Sequence, residues 1–138
     1  MNNNLISIRI GNNIGVEGAQ SISKLLELNT TLTSLDLSSK LFRKMNNNQY
    51  QSHLNQIDNS IRVEGAKSIS KSLELNTTLT ALSLRSKLFH KMNNNQYGSH
   101  FNRIGNIIGD EGAQSIAKSL ELNTTLTSLN LSCKLFHS

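Results

Sequence analysis

Carboxylates that could take part in acid–base chemistry recur along this sequence of 138 residues. Asp110 and Glu111 form one pair, and Glu17 and Glu27 stand in an earlier copy of the same pattern. Paired carboxylates catalyse proton transfer when both face a shared substrate. Here they lie at predicted helix starts and on outer helix faces, where negative charge stabilises the helix dipole. We therefore predict that these carboxylates are structural and that the protein is not an enzyme.

The other reactive residue types do not form a known site pattern. The histidines are His53, His90, His100 and His137. Their spacing does not supply the roughly four close ligands of a structural zinc site. Cys133 is the single cysteine and has no recurring base beside it. The glycines of G-x-x-G at 15–18 and 109–112 lack the Lys-Ser/Thr of a phosphate-binding loop. We predict no catalytic residue, no metal and no cofactor.

The elements that would position any site belong to an internal repeat. The triplet E-G-A contains Gly18, Gly65 and Gly112, and L-E-L-N-T-T-L-T recurs at the same interval of 47 residues. Aligned copies define three units, which cover 11–38, 58–85 and 105–132. Inserts at 39–57 and 86–104 separate the units, and 1–10 and 133–138 resemble partial inserts. Self-similarity at a fixed period indicates a stacked repeat architecture.

Each unit has a helix followed by a short strand. In the third unit, apolar residues three and four apart predict a helix over 111–122, with Asp110 at its start. Asn123 is predicted to end that helix in a left-handed conformation. The motif L-x-x-L-x-L at 126–131 then predicts a strand with one buried face. Units of this kind predict a parallel sheet with right-handed crossovers.

The second unit departs from the others where its helix begins. Gly15 and Gly109 stand before the E-G-A helices of the first and third units, and Arg62 takes that position in the second. Glycine suits a tight approach to a helix, because it adopts positive φ at little cost. We predict that Arg62 makes this helix entry the weakest of the three.

Units and inserts also differ in composition. The net charge is +5, although the three units together carry −3, so the whole basic excess lies outside them. Every aromatic residue and every histidine also lies outside the units. A basic balance on its own suggests nucleic acid as a partner. Since the repeat surface is mildly acidic, we do not expect a nucleic-acid partner for the units themselves.

The motifs N-x-I-G-D-E-G-A at 106–113 and L-x-x-L-x-L at 126–131 resemble the leucine-rich repeat family. The closest form is its 28-residue ribonuclease-inhibitor-like subclass, also found in NOD-like receptors and Ran GTPase activators. The resemblance implies an α/β solenoid fragment with strands on a concave face, helices outside, and protein–protein recognition. It assigns partner contacts to the outward strand positions: Ser34, Asp36, Ser38, Ala81, Ser83, Arg85, Ser128, Asn130 and Ser132.

Two interpretations of the inserts stay open. They are either long basic loops with an Asn-rich centre, or translated introns. Removing 19 residues restores the 28-residue frame, and the Ser-Lys or Cys-Lys at each insert start is compatible with codons containing GTAAG, a common splice-donor sequence. The resemblance between the two inserts argues for selection on protein. We expect retained introns as the origin, which sequencing of the transcript tests.

The sequence therefore predicts a non-catalytic scaffold that binds an unidentified protein and is a fragment of a longer repeat protein. Alternatives are nucleic-acid binding through the basic inserts and a GTPase-activator-like regulatory repeat. The N-terminus has no signal-peptide pattern, and no apolar run reaches the roughly 18 residues of a membrane span. We expect a cytoplasmic protein with no membrane partner. The oligomeric state is left open.

Overall fold

The computed structural model describes residues 7–9, 13–44, 55–57, 59–91 and 106–137. The helices are α1 (Gly15–Leu28), α2 (Arg62–Leu75) and α3 (Gly109–Leu120). The strands are β1 (Ser7–Arg9), β2 (Ser34–Asp36), β3 (Ser39–Lys44), β4 (Asn55–Ile57), β5 (Ala81–Ser83), β6 (Ser86–Lys91), β7 (Ser128–Asn130) and β8 (Cys133–His137). The predicted α/β class is confirmed.

One parallel sheet, here called sheet A, joins the short strands of the three units. Its order is β1-β2-β5-β7. Leu35 pairs in register with Leu82, and Leu82 pairs with Leu129, so the same position of each unit forms one row. One helix lies between each two consecutive strands of this sheet, α1 after β1, α2 between β2 and β5, and α3 between β5 and β7, as the parallel order requires.

Leucines from the strands and helices form the core. Leu35, Leu37, Leu82 and Leu84 are at most 2% exposed, and the helices contribute fully buried residues such as Leu73. The equivalent leucines of the third unit are less completely buried, and Leu129 is half-buried. A leucine side chain that leaves water entirely gains about 1.5–3 kcal/mol. The best-packed part of the core is therefore the middle of the stack.

The E-G-A triplet lets the helices approach closely. A Cβ added to Gly65 would lie 2.8 Å from the Cβ of Ala19 on the preceding helix. A Cβ added to Gly112 would lie 3.0 Å from the Cβ of Ala66. The recurring glycines thus have a packing role between neighbouring helices, and the following alanine receives the next glycine.

The helix starts differ in detail from the sequence prediction. Ile108 is the N-cap residue of α3 and Asp110 lies in the first turn, so the prediction that Asp110 begins the helix is wrong. The helix ends at Leu120. Asn123 is not among the described residues with positive φ, so its predicted left-handed stop is also wrong. Its equivalents Asn29 and Asn76 are extended, because their side chains instead bind the following turn.

Arg62 adopts the glycine-like conformation that its position requires. Its φ is 58°, against 66° at Gly15 and 59° at Gly109. A left-handed conformation costs an L-residue about 1–2 kcal/mol, because its Cβ crowds the following carbonyl oxygen. At this position the second helix entry therefore carries backbone strain that glycine avoids in the first and third. Each entry also holds one other residue of positive φ, namely Asn13, Ser60 or Ile107.

We expect Arg62→Gly to raise the free energy of unfolding by about 1 kcal/mol. The matched control is Gly15→Ala, since a Cβ at Gly15 has no neighbour within 4 Å and the change tests conformation alone. In urea denaturation, the free energy of unfolding of that control variant should fall by a similar amount. Amide exchange should be fastest at the Arg62 entry in the parent protein, and faster exchange at Gly15 and Gly109 would contradict the assignment.

The starts of the inserts form a second sheet, sheet B, in the order β4-β3-β6-β8. β3, β6 and β8 pair in parallel, and β4 joins β3 antiparallel. The prediction of long loops is therefore wrong for these stretches, because backbone pairing between copies of S-K-L-F extends the stack. The Asn-rich centres of the inserts lie outside the described residues.

The first residues of the chain also differ from their predicted place. The sequence predicts a partial insert over residues 1–10. In the structure, Ser7–Arg9 form β1 and pair with β2 in sheet A. The signal was present in the sequence: Leu5, Ile8 and Ile10 repeat the spacing of the L-x-x-L-x-L motif. This stretch continues to Asn12 without an insert.

Candidate functional site

The nine predicted contact positions lie together on sheet A and at the ends of its strands. Strand register aligns them into three groups across the units. The groups are Ser34, Ala81 and Ser128; Asp36, Ser83 and Asn130; and Ser38, Arg85 and Ser132. Ser128 is exposed and the others are half-buried. We call this set the open face of sheet A; its role in binding stays a prediction.

Side-chain hydrogen bonds fix two edges of the open face. Asp36 Oδ1 accepts hydrogen bonds from the backbone N–H and the hydroxyl of Ser38. Asn130 Oδ1 accepts the same pair from Ser132, at 3.0 and 2.8 Å. The Ser38 hydroxyl also lies 2.8 Å from that of Ser83. These short-range bonds pre-order the polar groups, which lowers the entropy that binding has to overcome.

Arg85 interrupts this pattern in the middle unit, just after strand β5. Its two neighbours in the same group are serines, and its Nε is buried without a hydrogen-bond partner among the described residues. A buried donor without an acceptor costs about 1–3 kcal/mol. Of the residue types on this face, arginine is the one that most often contributes strongly to the binding energy of protein–protein interfaces. Because the buried Nε is closed to a partner, any partner contact of Arg85 would use the exposed part of its half-buried side chain.

A ladder of asparagines holds the strands of sheet A in place. Asn76 Nδ2 donates to Leu26 O at 2.7 Å and Asn29 O at 3.3 Å, both in the preceding unit. Its Oδ1 accepts from the N–H groups of Thr78 and Leu79, at 3.1 and 2.7 Å. One side chain thus ends its own helix, orders the turn into the strand and bonds the unit before it.

Asn123 repeats this arrangement one unit further along. Its Nδ2 donates to Leu73 O at 2.7 Å and Asn76 O at 3.1 Å. The N-T-T triplets that begin at Asn29, Asn76 and Asn123 have the sequence pattern of a glycosylation acceptor, but the geometry supports a structural role for these asparagines. Because Asn76 is 4% exposed and both its amide atoms are bonded, a glycan there would require the ladder to open.

A second set of asparagines forms hydrogen bonds between the units at the positions where each insert begins and ends. Asn59 Nδ2 donates to Leu37 O at 2.8 Å, across 22 residues of sequence. Asn106 Nδ2 donates to Leu84 O at 2.8 Å and to Leu37 O at 2.9 Å. Asn59 O in turn accepts from the N–H of Gly15 at 2.8 Å. The units therefore bond to each other directly at the points where the inserts interrupt them.

One ion pair links neighbouring helices in the described parts of the chain. Lys67 Nζ lies 2.7 Å from Glu111 Oε2, and both side chains are largely exposed. The hydrogen bond from Lys67 and its positive charge lower the pKa of Glu111. The hydrogen bond to Glu111 and its negative charge raise the pKa of Lys67. This contact lies on the helix side, away from the open face of sheet A.

We expect the stabilising effect of this pair to be constant near neutral pH. The Glu111 contribution is present above the pKa that its carboxyl has in the unfolded chain. It disappears as pH falls through the lower folded pKa. The Lys67 contribution is present below the unfolded pKa of its amine and disappears as pH rises through the higher folded pKa. Lys67→Gln should raise the pKa of Glu111 in an NMR titration, and an unchanged pKa would show that the pair does not form in solution.

Three other sequence predictions concern the absence of sites. No group of three histidine, cysteine, aspartate or glutamate side chains that could hold a metal is found in the described ranges. Cys133 is exposed and carries a free thiol. No helix within the described ranges has the length and hydropathy needed to cross a bilayer.

Comparisons with known proteins complete the description of the repeats. A family model described as Leucine Rich repeat matches residues 28–39 and 101–117. These segments contain strand β2 and the start of α3, the two parts of the unit that carry its sequence motifs. In these two segments the chain is similar to that family. A comparison with curated proteins gives no match.

The leucine-rich repeat fold is also seen in a structural neighbour. The solved structure titled "Leiomodin-1 Actin-Binding Site 2 (ABS2)" superposes with a TM-score of 0.53 at 20% sequence identity. The alignment covers 99% of this chain and 56% of that one. At this identity the likeness concerns the fold alone. The leucine-rich repeats therefore support a protein-binding repeat scaffold, and the ribonuclease-inhibitor-like subclass stays a prediction.

Proposed function

We propose that the leucine-rich repeats form a non-catalytic scaffold that binds a protein partner through the open face of sheet A. The observation that carries the proposal is the register of β2, β5 and β7. It aligns the outward positions of three units into one polar surface, with Arg85 on the middle unit. A partner carboxylate is the preferred contact for Arg85, because two parallel hydrogen bonds match the planar guanidinium group.

The test uses a photo-crosslinking amino acid in the full chain. Placed at Ser83, in the middle of the open face, it should capture a partner in cells. The same group at Gln114, which is exposed on α3, is the matched control. For the captured protein, Arg85→Ala should weaken the measured affinity by at least about tenfold, as expected of a central arginine. Equal capture from both positions, or an unchanged affinity, would contradict the proposal.

We also propose that the chain is part of a longer, intracellular repeat protein of the 28-residue ribonuclease-inhibitor-like kind. Two features support this: the 28-residue length of the units, and the half-buried leucines of the third unit, which lack the complete packing of the middle unit. The chain spans 56% of the structural neighbour's length. Actin is the ligand named in that neighbour's title. Because the feature shared with that neighbour is the fold, we do not propose actin as a partner of this chain.

For the inserts, the proposed origin is translated introns. The support is geometric as well as sequence-based, since Asn59 and Asn106 bond the units directly across the two insertion points. The start of the chain provides an uninterrupted example, since the sequence continues from β1 (Ser7–Arg9) to Asn12 without an insert. Transcripts that retain both stretches would contradict this origin.

We expect a chain without the inserts to keep its fold. Ser39 and Ser86 are buried and lie 3.3 Å apart through their hydroxyls, so the deletions should begin after them. Removing residues 40–58 and 87–105 leaves both serines and the asparagine contacts in place. Circular dichroism should show the same helices and a cooperative melt. Loss of cooperative melting would show that sheet B is required for stability.

The register of sheet B favours nucleic-acid binding as a second candidate function. Lys40, Lys87 and Lys134 align across the strands, and Phe42, Phe89 and Phe136 align two positions later. Basic and aromatic positions in regular rows are the residue types that single-stranded nucleic-acid surfaces use. Salt-dependent binding of single-stranded RNA by the complete chain, lost on deleting the inserts, tests this candidate. Transcripts without the inserts would remove it.

A further inference from the structure

Three leucines remain exposed at the helix ends, one in each unit. Leu28 is 85% exposed, Leu75 is 63% exposed and Leu122 is 66% exposed. Leu28 and Leu75 are the last residues of α1 and α2, and Leu122 lies in the turn after α3. Single exposed leucines are common on protein surfaces. These three occupy the same position of successive units, and we call them the leucine row.

The asparagine ladder aligns the leucine row. Each of these leucines directly precedes a ladder asparagine. Asn76 Nδ2 donates to Asn29 O at 3.3 Å, and Asn123 Nδ2 donates to Asn76 O at 3.1 Å. These bonds tie the backbone of each unit to the next at the residue beside the leucine. The row is therefore held by partly buried hydrogen bonds, although its side chains are in contact with solvent.

Exposed charges border the leucine row on the helix side. Lysines stand four residues before each leucine, one helical turn away, at Lys24, Lys71 and Lys118. Glutamates stand immediately before each leucine, at Glu27, Glu74 and Glu121. The one ion pair found in the described ranges joins Lys67 and Glu111, so it engages neither set. The row is thus an apolar strip beside charges that remain available for a partner.

We propose that the leucine row binds an amphipathic helix of a partner protein, lying across α1, α2 and α3. Packed helices lie about 8–10 Å apart, which sets the distance between successive leucines. A helix advances about 10.5 Å in seven residues, so one apolar residue per heptad can contact each leucine. Residues on one face of a strand recur at about 6.7 Å and do not match that distance.

Charge favours a helix with an acidic flank over a lipid surface. The lysines one turn from the leucines would face acidic residues on one flank of the partner's apolar stripe, and the glutamates would face its other, non-acidic flank. The glutamates next to the leucines would be repelled by an anionic bilayer and have no counterpart on a neutral one. This surface lies at the helix ends, apart from the open face of sheet A, and the inference does not rest on the proposed function of that face.

The probe is a synthetic 21-residue helical peptide with leucine at heptad positions a and d and glutamate along one flank. Fluorescence anisotropy with the full chain should show binding. The triple variant Leu28→Ser, Leu75→Ser and Leu122→Ser should weaken it at least about tenfold. The control is Leu25→Ser, because Leu25 is 47% exposed but its equivalents in the other units are Ser72 and Ser119. Circular dichroism checks that each variant is folded.

A charge exchange gives a second readout. A triple variant should weaken binding of the peptide with the acidic flank and strengthen binding of a peptide whose flank is lysine. The three substitutions are Lys24→Glu, Lys71→Glu and Lys118→Glu. Equal affinity of the triple serine variant and the parent would overturn the proposal. So would a serine-sensitive association with neutral lipid vesicles or between copies of the chain in the absence of peptide, since another occupant would then cover the row.

Discussion

Asn76→Ala is expected to lower the free energy of unfolding by about 3–4 kcal/mol, because it removes partners from buried backbone groups. The side chain is 4% exposed and bonds two carbonyl oxygens of the preceding unit. It also accepts from the N–H groups of Thr78 and Leu79. Urea denaturation followed by circular dichroism measures the loss. In a small stack, a change of this size is a large share of the total stability.

Two further variants separate the roles of the amide. Asn29→Ala is the matched control, since Asn29 Oδ1 accepts from Thr31 and Leu32 in the same way. No bond from Asn29 Nδ2 to another unit is found in the described residues, so the expected loss is clearly smaller. Asn76→Asp keeps the acceptor and places a carboxylate against the two carbonyl oxygens. It should therefore destabilise about as much as Asn76→Ala, and equal losses for Asn29→Ala and Asn76→Ala would contradict the ladder.

Leu82→Ala is the second change with a large expected effect, a loss of about 2–5 kcal/mol. Leu82 is 2% exposed and lies between Leu35 and Leu129 in sheet A. Removing its side chain leaves a cavity that both neighbouring units line. Thermal and urea denaturation should show a lower midpoint, and the absence of any cooperative transition in the parent would mean that no packed stack exists.

Leu129→Ala provides the comparison. The sequence alone treats Leu129 as equivalent to Leu82 and predicts the same loss of about 2–5 kcal/mol. The structure places Leu129 half-buried in the last strand of sheet A. We therefore expect a smaller loss than for Leu82→Ala, since less surface leaves water and solvent can fill part of the space. A greater loss at Leu129 would show that the third unit is packed more completely in solution.

The stability variants and the binding variants concern different surfaces. Asn76 and Leu82 are buried, so their replacement should reduce all functions together with the folded population. Arg85 and the leucine row are at least partly exposed, so their replacement should change binding while the melting midpoint stays close to that of the parent. A binding loss without unfolding at Arg85 alone would assign the partner to the open face of sheet A. The same result at Leu75 and its equivalents would assign it to the leucine row.

Within the three units, the sequence by itself determined the kinds of element and their order. Period-three-to-four apolar spacing in each unit indicated a helix, and L-x-x-L-x-L indicated the strand after it, because both patterns follow from local backbone geometry. It also identified the strain at Arg62, since a glycine recurs there in the other units. Helix ends were less accurate, as at Asp110 and Asn123, because capping depends on side-chain bonds beyond the apolar pattern.

Only the tertiary structure decided which distant residues meet. The asparagine ladder joins groups 47 to 50 residues apart, and Asn59 returns to Leu37 across an insert. Spacing along the chain does not encode these contacts, because the inserts hide the distance between neighbouring units in space. The pairing of β1 in sheet A and the strands of sheet B follow from the same stacking. The exposed leucine row also follows from this stacking. Its three leucines belong to the repeated L-E-L-N-T-T-L-T motif, and in the structure hydrogen bonds align them while their side chains stay in contact with water.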